Sequence, residues 1–314
     1  MSLLFPVLSF ICGLILANSK LSMNLKTMMS LLLARVFIPI VIIYNMVFYK
    51  SGSIALILFA FFSCFILFFV YLKRSKDRLA SLCFSYTNMA WLGFPIALAI
   101  FGAEHSMVMI PLYIGVSIFG NSWAVTSVSS APQSKVLLFK KVLQSPPVIA
   151  LIIAGLLRCF DVQHFQTQQW VDWIYNASKW SMSFTGMCVL GMWLRKTKVH
   201  VGDLLISTRL AILKLFCGMI LCSLAYFFLP VPQIHDYIGV MFLLFCLPPA
   251  ANIVALETHY QGTGISAKYI ASGTIVSCAV CVLYGVLIHF LSFEFFIFVN
   301  LEGFEKPHDF FVRL

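Results

Sequence analysis

Apolar runs of roughly 20 residues follow one another along almost the whole chain, and a helix of that length crosses about 30 Å of hydrocarbon. Hydrocarbon offers no hydrogen-bond partners, so a chain built this way is restricted to spanning helices joined by short connections. The runs give ten expected spans, at about 3–18, 28–49, 53–72, 79–101, 106–129, 146–160, 173–194, 207–229, 236–256 and 265–291. The longest connections, about 130–145 and 161–172, are too short to bury a soluble core. With 61% hydrophobic and 10% charged residues, the chain also lacks the polar surface that a soluble globule needs. The expected class is an all-α integral membrane protein. Residues 1–18 also suit a secretory signal peptide, but no Lys or Arg precedes Lys20, so the basic n-region is missing and the segment reads as a retained first helix.

Basic residues gather in alternate connections, which hold Lys20 and Lys26, then Lys73 to Arg78, Lys135 to Lys141, Arg195 to Lys198, and Lys268. The positive-inside rule makes these connections cytoplasmic and turns both termini outward. Orientation against an anionic leaflet accounts for the net charge of +10, and no nucleic-acid partner is expected. Nearly all of the ten cysteines fall in apolar runs, where thiols behave as small hydrophobes. Cys278 and Cys281 have redox or metal spacing, but they sit inside the tenth span without a nearby histidine pair, so neither a metal nor a cofactor is expected.

The chain contains an internal repeat. Phe5-Pro6-Val7-Leu8 through Gly13-Leu14 resembles Pro146-Pro147-Val148-Ile149 through Gly155-Leu156. At similar offsets after each comes a broken apolar segment, Ser85 to Pro95 in the first half and Cys246 to Asn252 in the second. This divides the chain into a first five-helix repeat at 1–130, a cytoplasmic linker at 131–145, a second repeat at 146–292 and an extracytoplasmic tail at 293–314. Five spans are an odd number, so the second repeat is expected to be inverted relative to the first. Paired helix interruptions in inverted repeats point to a secondary transporter whose substrate binds near the bilayer midplane.

Polar residues near those breaks are the candidate ligands. Asn88 precedes Pro95 by about two turns, and Asn252 follows Pro248 and Pro249 closely; an amide offers donors and an acceptor without the cost of a buried charge. Helix N-termini at the breaks can hold a carboxylate on backbone N–H groups, and no cationic side chain is needed for that. Arg35, near the cytoplasmic end of the second span, either holds a carboxylate through its fork or snorkels to the interface. Asn121 and Ser122 are further polar candidates or helix-to-helix bonds. Lys214 is expected within reach of the cytoplasmic interface, Lys179 at the outer interface and Glu257 at the cytoplasmic end of the ninth span. No Asp or Glu falls in the middle of an expected span, unlike a carrier run by a carboxylate proton relay. Gly186, Gly191, Ala271, Ser272 and Gly273 read as packing seams, while Trp91 and Phe94 either fill the core or stack on an apolar substrate body.

Asn88-Met-Ala-Trp-Leu-Gly-Phe-Pro through Gly102, and Pro248-Pro-Ala-Ala-Asn through Tyr260, resemble the auxin efflux carrier family. The ten-helix plan covers nearly the whole chain, while the specific motifs amount to about 30 residues. The resemblance implies a scaffold of the first two helices in each repeat and an elevator-like transport domain of the other three. It implies fourth and ninth helices that cross at Pro95 and at Pro248 or Pro249, with the substrate carboxylate beside them. It also implies dimerisation through the scaffold and, since the long central loop of plant members is missing, a compact bacterial-type protein of the inner membrane. The leading expectation is therefore an exporter of small mono- or dicarboxylates, not an enzyme. A sodium- or proton-coupled symporter resembling bile-acid carriers, and a receptor that binds without transporting, stand as alternatives. A membrane-embedded enzyme is disfavoured because no nucleophile–base pair or metal cluster occurs within the spans.

Overall fold

A computed structural model describes residues 4–19, 22–48, 52–124, 127, 135–160, 168–195, 198–232, 234–254, 257 and 265–301. Its elements are helical, with no strand among the described residues beyond one isolated bridge. Helix α1 is Leu4–Leu16. Helix α2 joins Ser22–Leu32, a π turn at Leu33–Phe37 and Ile38–Val47. Helix α3 is Ser53–Ser75 and α4 is Arg78–Ser85. After a break, α5 runs through a π turn at Met89–Gly93 into Phe94–His105. Then follow α6 (Met109–Phe119), α7 (Lys135–Leu143), α8 (Pro146–Cys159), α9 (Gln169–Arg195), α10 (Val201–Phe228), α11 (Ile234–Cys246) and α12 (Ile265–Leu301).

Local chemistry sets several of these ends. Lys76 closes α3 in the left-handed region (φ 57°), and the next residue, Asp77, caps α4 by accepting from the Leu79 and Ala80 N–H groups at 2.9 and 3.2 Å. Pro146 and Pro147 open α8, where a missing N–H costs nothing because the first turn has no intrahelical acceptor.

Among the described residues, five apolar segments are long enough to cross a membrane: Asn24–Val47, Ser53–Ser75, Met89–Trp123, Val201–Phe228 and Ile265–Phe290. Large apolar side chains on their outer faces, such as Phe62 and Ile66 of α3, Phe216 and Phe227 of α10, and Leu283 of α12, are exposed. Water would penalise such continuous faces, and lipid would not. These features fit a membrane-embedded protein.

Packing sorts the helices into two groups. In the first, α1 lies along α9 and the Ile38–Val47 part of α2 lies along α8. In the second, α3 packs on α6 and α4, while α10 packs on α11 and α12. The seam between the groups runs mainly along α9, which meets both the Met89–Gly93 turn and the rest of α5.

Three expected segments gain detail. Residues 135–143 of the expected linker form a helix, because Val136, Phe139 and Val142 recur at helical spacing between the lysines. The second span begins as helix at Ser22, where polar side chains do not hinder helix formation. Helix α12 continues past 292 to Leu301, and the remaining tail lies outside the described residues.

Candidate functional site

The two interruptions meet. Helix α4 stops at Ser85, Tyr86 is extended (φ −89°, ψ 113°), and the helix resumes at Met89. Helix α11 stops at Cys246 and helix resumes at Asn252. The backbones between form a short antiparallel bridge at Thr87 and Pro249. The Asn88 N–H donates to the Pro248 carbonyl and the Ala250 N–H to the Tyr86 carbonyl, both at 2.8 Å. Thr87 and Pro249 occupy the non-hydrogen-bonded position of the antiparallel pair, the one place where a proline forfeits no ladder bond. Each break thus meets part of the backbone demand of the other, among buried residues such as Thr87, Asn88 and Ala250.

This places the first break earlier than the proline suggested. Pro95 sits in the first turn after the π turn, where it does not interrupt the chain, and the interruption is at Tyr86 to Asn88. Two small residues let neighbouring helices close on the crossing. A Cβ on Gly186 of α9 would lie 2.9 Å from the Trp91 carbonyl oxygen, and one on Gly273 of α12 would lie 2.8 Å from Pro249 Cδ.

The side chains at the crossing are polar and only partly satisfied. Asn88, 5% exposed, caps α5 by accepting from the Trp91 N–H at 3.2 Å, and this leaves its Nδ2 buried with no partner among the described residues. The buried Thr87 hydroxyl is likewise unpartnered. Such atoms cost free energy unless something else meets them. Asn252, at the other break, is exposed and donates from Nδ2 to the Tyr86 hydroxyl at 2.8 Å. The Tyr86 ring packs on Gly120, just before Asn121, whose own Nδ2 turns back to the Ser117 carbonyl at 2.8 Å. Tyr86 therefore links the two halves.

Lys214 is buried in the helix packing. It is 5% exposed in mid-α10, and its Nζ donates to the Leu247 carbonyl at 2.7 Å, just past the end of α11. Carbonyls at a helix C-terminus carry the negative end of the dipole, and the ammonium answers it. Lys214, Ser207, Tyr269 and the two prolines line a cavity of about 40 Å³ beside the second break. It has room for water but not for an organic acid. Glu257 is also buried; its carboxylate accepts from the Ile265 and Ser266 N–H groups, each at 2.8 Å, and from the Ser266 hydroxyl. That contact caps the N-terminus of α12, a structural task sufficient to hold a buried carboxylate.

Other candidates lie elsewhere. Arg35 is exposed on the π turn of α2 and lines neither the small cavity nor the large one described next. Ser122 bonds back to the Ile118 carbonyl at 2.6 Å. A cavity of about 560 Å³ opens among the ends of α2, α5 and α11, lined by Tyr44, Asn45, Glu104, His105, Asp236 and Tyr237 among others. Gly102, with φ 74°, bends the chain beside it in a conformation that disfavours any other residue. Lys179, expected at the interface, is 8% exposed on α9, its Nζ 5.1 Å from the centre of the Tyr175 ring. No group of His, Cys, Asp or Glu among the described residues has metal-binding geometry, Cys278 and Cys281 included.

Sequence reasoning did not single out Tyr86 and Thr87 at the crossing, and it placed Lys214 near an interface. Tyr86 and Thr87 adjoin Asn88, and a polar triplet in an apolar run was the available signal. For Lys214 there was none, since its partner lies on another helix. No family model matches the chain, and no curated protein matches it.

Proposed function

We propose that the chain is a secondary carrier of small organic anions, built like the auxin efflux carriers it resembles, with ten spans in two inverted five-helix repeats. The observation that carries this reading is the bridge between the two breaks, with the unpartnered Nδ2 of Asn88 buried beside it. Broken helices that meet at membrane depth supply oriented backbone groups where a substrate needs them. Asn88 Nδ2 and the Thr87 hydroxyl donate to carboxylate oxygens, and the first N–H groups of the resuming helices add their dipoles. Lys214 fixes a positive charge one carbonyl away from the second break.

The helix groups suggest the mechanics. The group of α1, α2, α8 and α9 serves as scaffold, and the group carrying both breaks moves along the α9 seam. The bridge makes α4, α5 and α11 travel together. The tight cavity at the crossing and the wide one at the ends of α2, α5 and α11 correspond to a site closed on itself below a vestibule. By the positive-inside rule that vestibule faces outward, as expected of an exporter in a bacterial inner membrane.

Lys214 also bears on coupling. A tethered ammonium at the dipole end of α11 supplies the positive charge that a coupled sodium ion brings elsewhere, so the anion moves down the membrane potential alone. The test is flux of radiolabelled malonate and butyrate in proteoliposomes, with membrane potential, sodium and proton gradients imposed separately. Potential-driven movement of one acid, lost in Asn88→Ala combined with Asn252→Ala, is the expected result. Unchanged transport in that double variant would falsify the crossing as the substrate site, and sodium dependence would favour the symporter alternative.

A further inference from the structure

A second buried cation lies along the path from the crossing to the vestibule. Lys179 and Ser183 sit one turn apart on α9, and both line a cavity of about 20 Å³ with Phe94 and Leu98 of α5, Ser106 and Met107. Lys179 is 8% exposed and Ser183 1%. The Ser183 hydroxyl has no hydrogen-bond partner among the described residues. The Lys179 ammonium lies 5.1 Å from the centre of the Tyr175 ring, and a ring face leaves most of an ammonium's donors unspent. The nearest acid on the same helix is Asp172, two turns away, and its carboxylate accepts the Tyr44 hydroxyl at 2.6 Å. Lys179 and the unpartnered Ser183 hydroxyl thus line one small cavity, and an anion there would answer both.

Position gives that demand a purpose. Phe94 and Leu98 follow Asn88 by six and ten residues, roughly 9–15 Å of helix at 1.5 Å per residue. At the other end Met107 lines both this cavity and the vestibule, and the Tyr44 ring of the vestibule stacks on Tyr175 with centroids 4.0 Å apart. The small cavity thus sits between the crossing and the wide opening, on the seam where α9 faces α5.

We propose that Lys179 and Ser183 form a second carboxylate subsite, which takes the anionic group of the substrate between the helix crossing and the vestibule. The inference rests on the organic-anion reading above. At about 20 Å³ the cavity accommodates roughly one water, so the subsite opens to a carboxylate only when α5 shifts along α9. The cation is fixed to the scaffold while the crossing moves, so the anion passes from dipoles that travel to a charge that does not. Substrate class follows from this spacing. A dicarboxylate of short chain meets the two sites in turn, and a neutral analogue meets neither.

Equilibrium binding of radiolabelled malonate and butyrate to the full-length protein in detergent separates the sites. Asn88→Ala combined with Asn252→Ala removes the amide ligands of the crossing and should leave weaker binding, held mainly at Lys179. Adding Lys179→Gln should weaken that residual binding tenfold or more, the scale of a lost charge-assisted bond, while Ser183→Ala weakens it about threefold and Lys179→Arg keeps it within about threefold. Lys179→Arg and Ser183→Ala carry the test if Lys179→Gln does not fold. Residual binding that survives Lys179→Gln overturns the subsite and leaves the crossing reading intact, as does the absence of residual binding when Lys179 is present. Binding that ignores the asparagine pair yet disappears with Lys179→Gln supports the subsite and overturns the crossing reading. Failure of the wild-type protein to bind either acid overturns both.

Discussion

The two breaks solve one problem with different residues. At the first, the resuming helix is capped by an amide, Asn88 accepting from the Trp91 N–H, and no proline lies within the interruption. At the second, Pro248 and Pro249 remove two N–H groups that would otherwise need partners, and Lys214 answers the Leu247 carbonyl. The first break keeps unspent donors and the second keeps a charge. A crossing that is symmetric in its backbone bridge is therefore asymmetric in its electrostatics, and in the proposed carrier the Asn88 side would hold the substrate while Lys214 sets the local potential.

That contrast can be broken most severely at Lys214. Lys214→Met leaves the Leu247 carbonyl buried without a donor and removes the charge, so malonate flux in proteoliposomes should fall about 100-fold, the upper range for a buried charge-assisted bond. Asn88→Ala removes the α5 cap and the buried Nδ2 together. Its flux should fall roughly 10- to 30-fold, and its midpoint of thermal unfolding should drop as well, since the cap is lost. An equal loss in both variants would erase the proposed division of labour. Tyr86→Phe deletes only the acceptor of Asn252, which is exposed and can turn to water, so a decrease of about threefold in flux is expected. Arg35→Gln should change initial flux by less than about twofold, because that side chain is exposed away from the crossing. A large effect there would restore the guanidinium as a substrate ligand.

Much of this was written in the local chain, and the rest depends on neighbours that the chain brings together only in space. Apolar runs and paired prolines announced membrane-type helices and a break near Pro248, since proline disrupts whichever helix interior holds it. Pro95 misled by several residues because proline is harmless in a first turn, and the true interruption was marked by Asn88 at an N-cap position. Lys214 and Lys179 looked like interfacial lysines because lysine usually reaches the interface by its stem. Their burial follows from helix packing, with α11 ending against one and Tyr175 lying under the other. The lysines of α7 marked its stretch as a linker and said nothing of its helical form.

The bridge between Tyr86, Asn88, Pro248 and Ala250 also has a timetable. During synthesis the first interruption enters the membrane while its partner is still untranslated, so its Asn88 N–H and Tyr86 carbonyl wait unpaired in a hostile solvent for a half-chain of growth. Either the insertion machinery shelters that segment or it stays near the lipid–water boundary until α11 arrives. Only the second break brings the partners that these groups find in the folded chain.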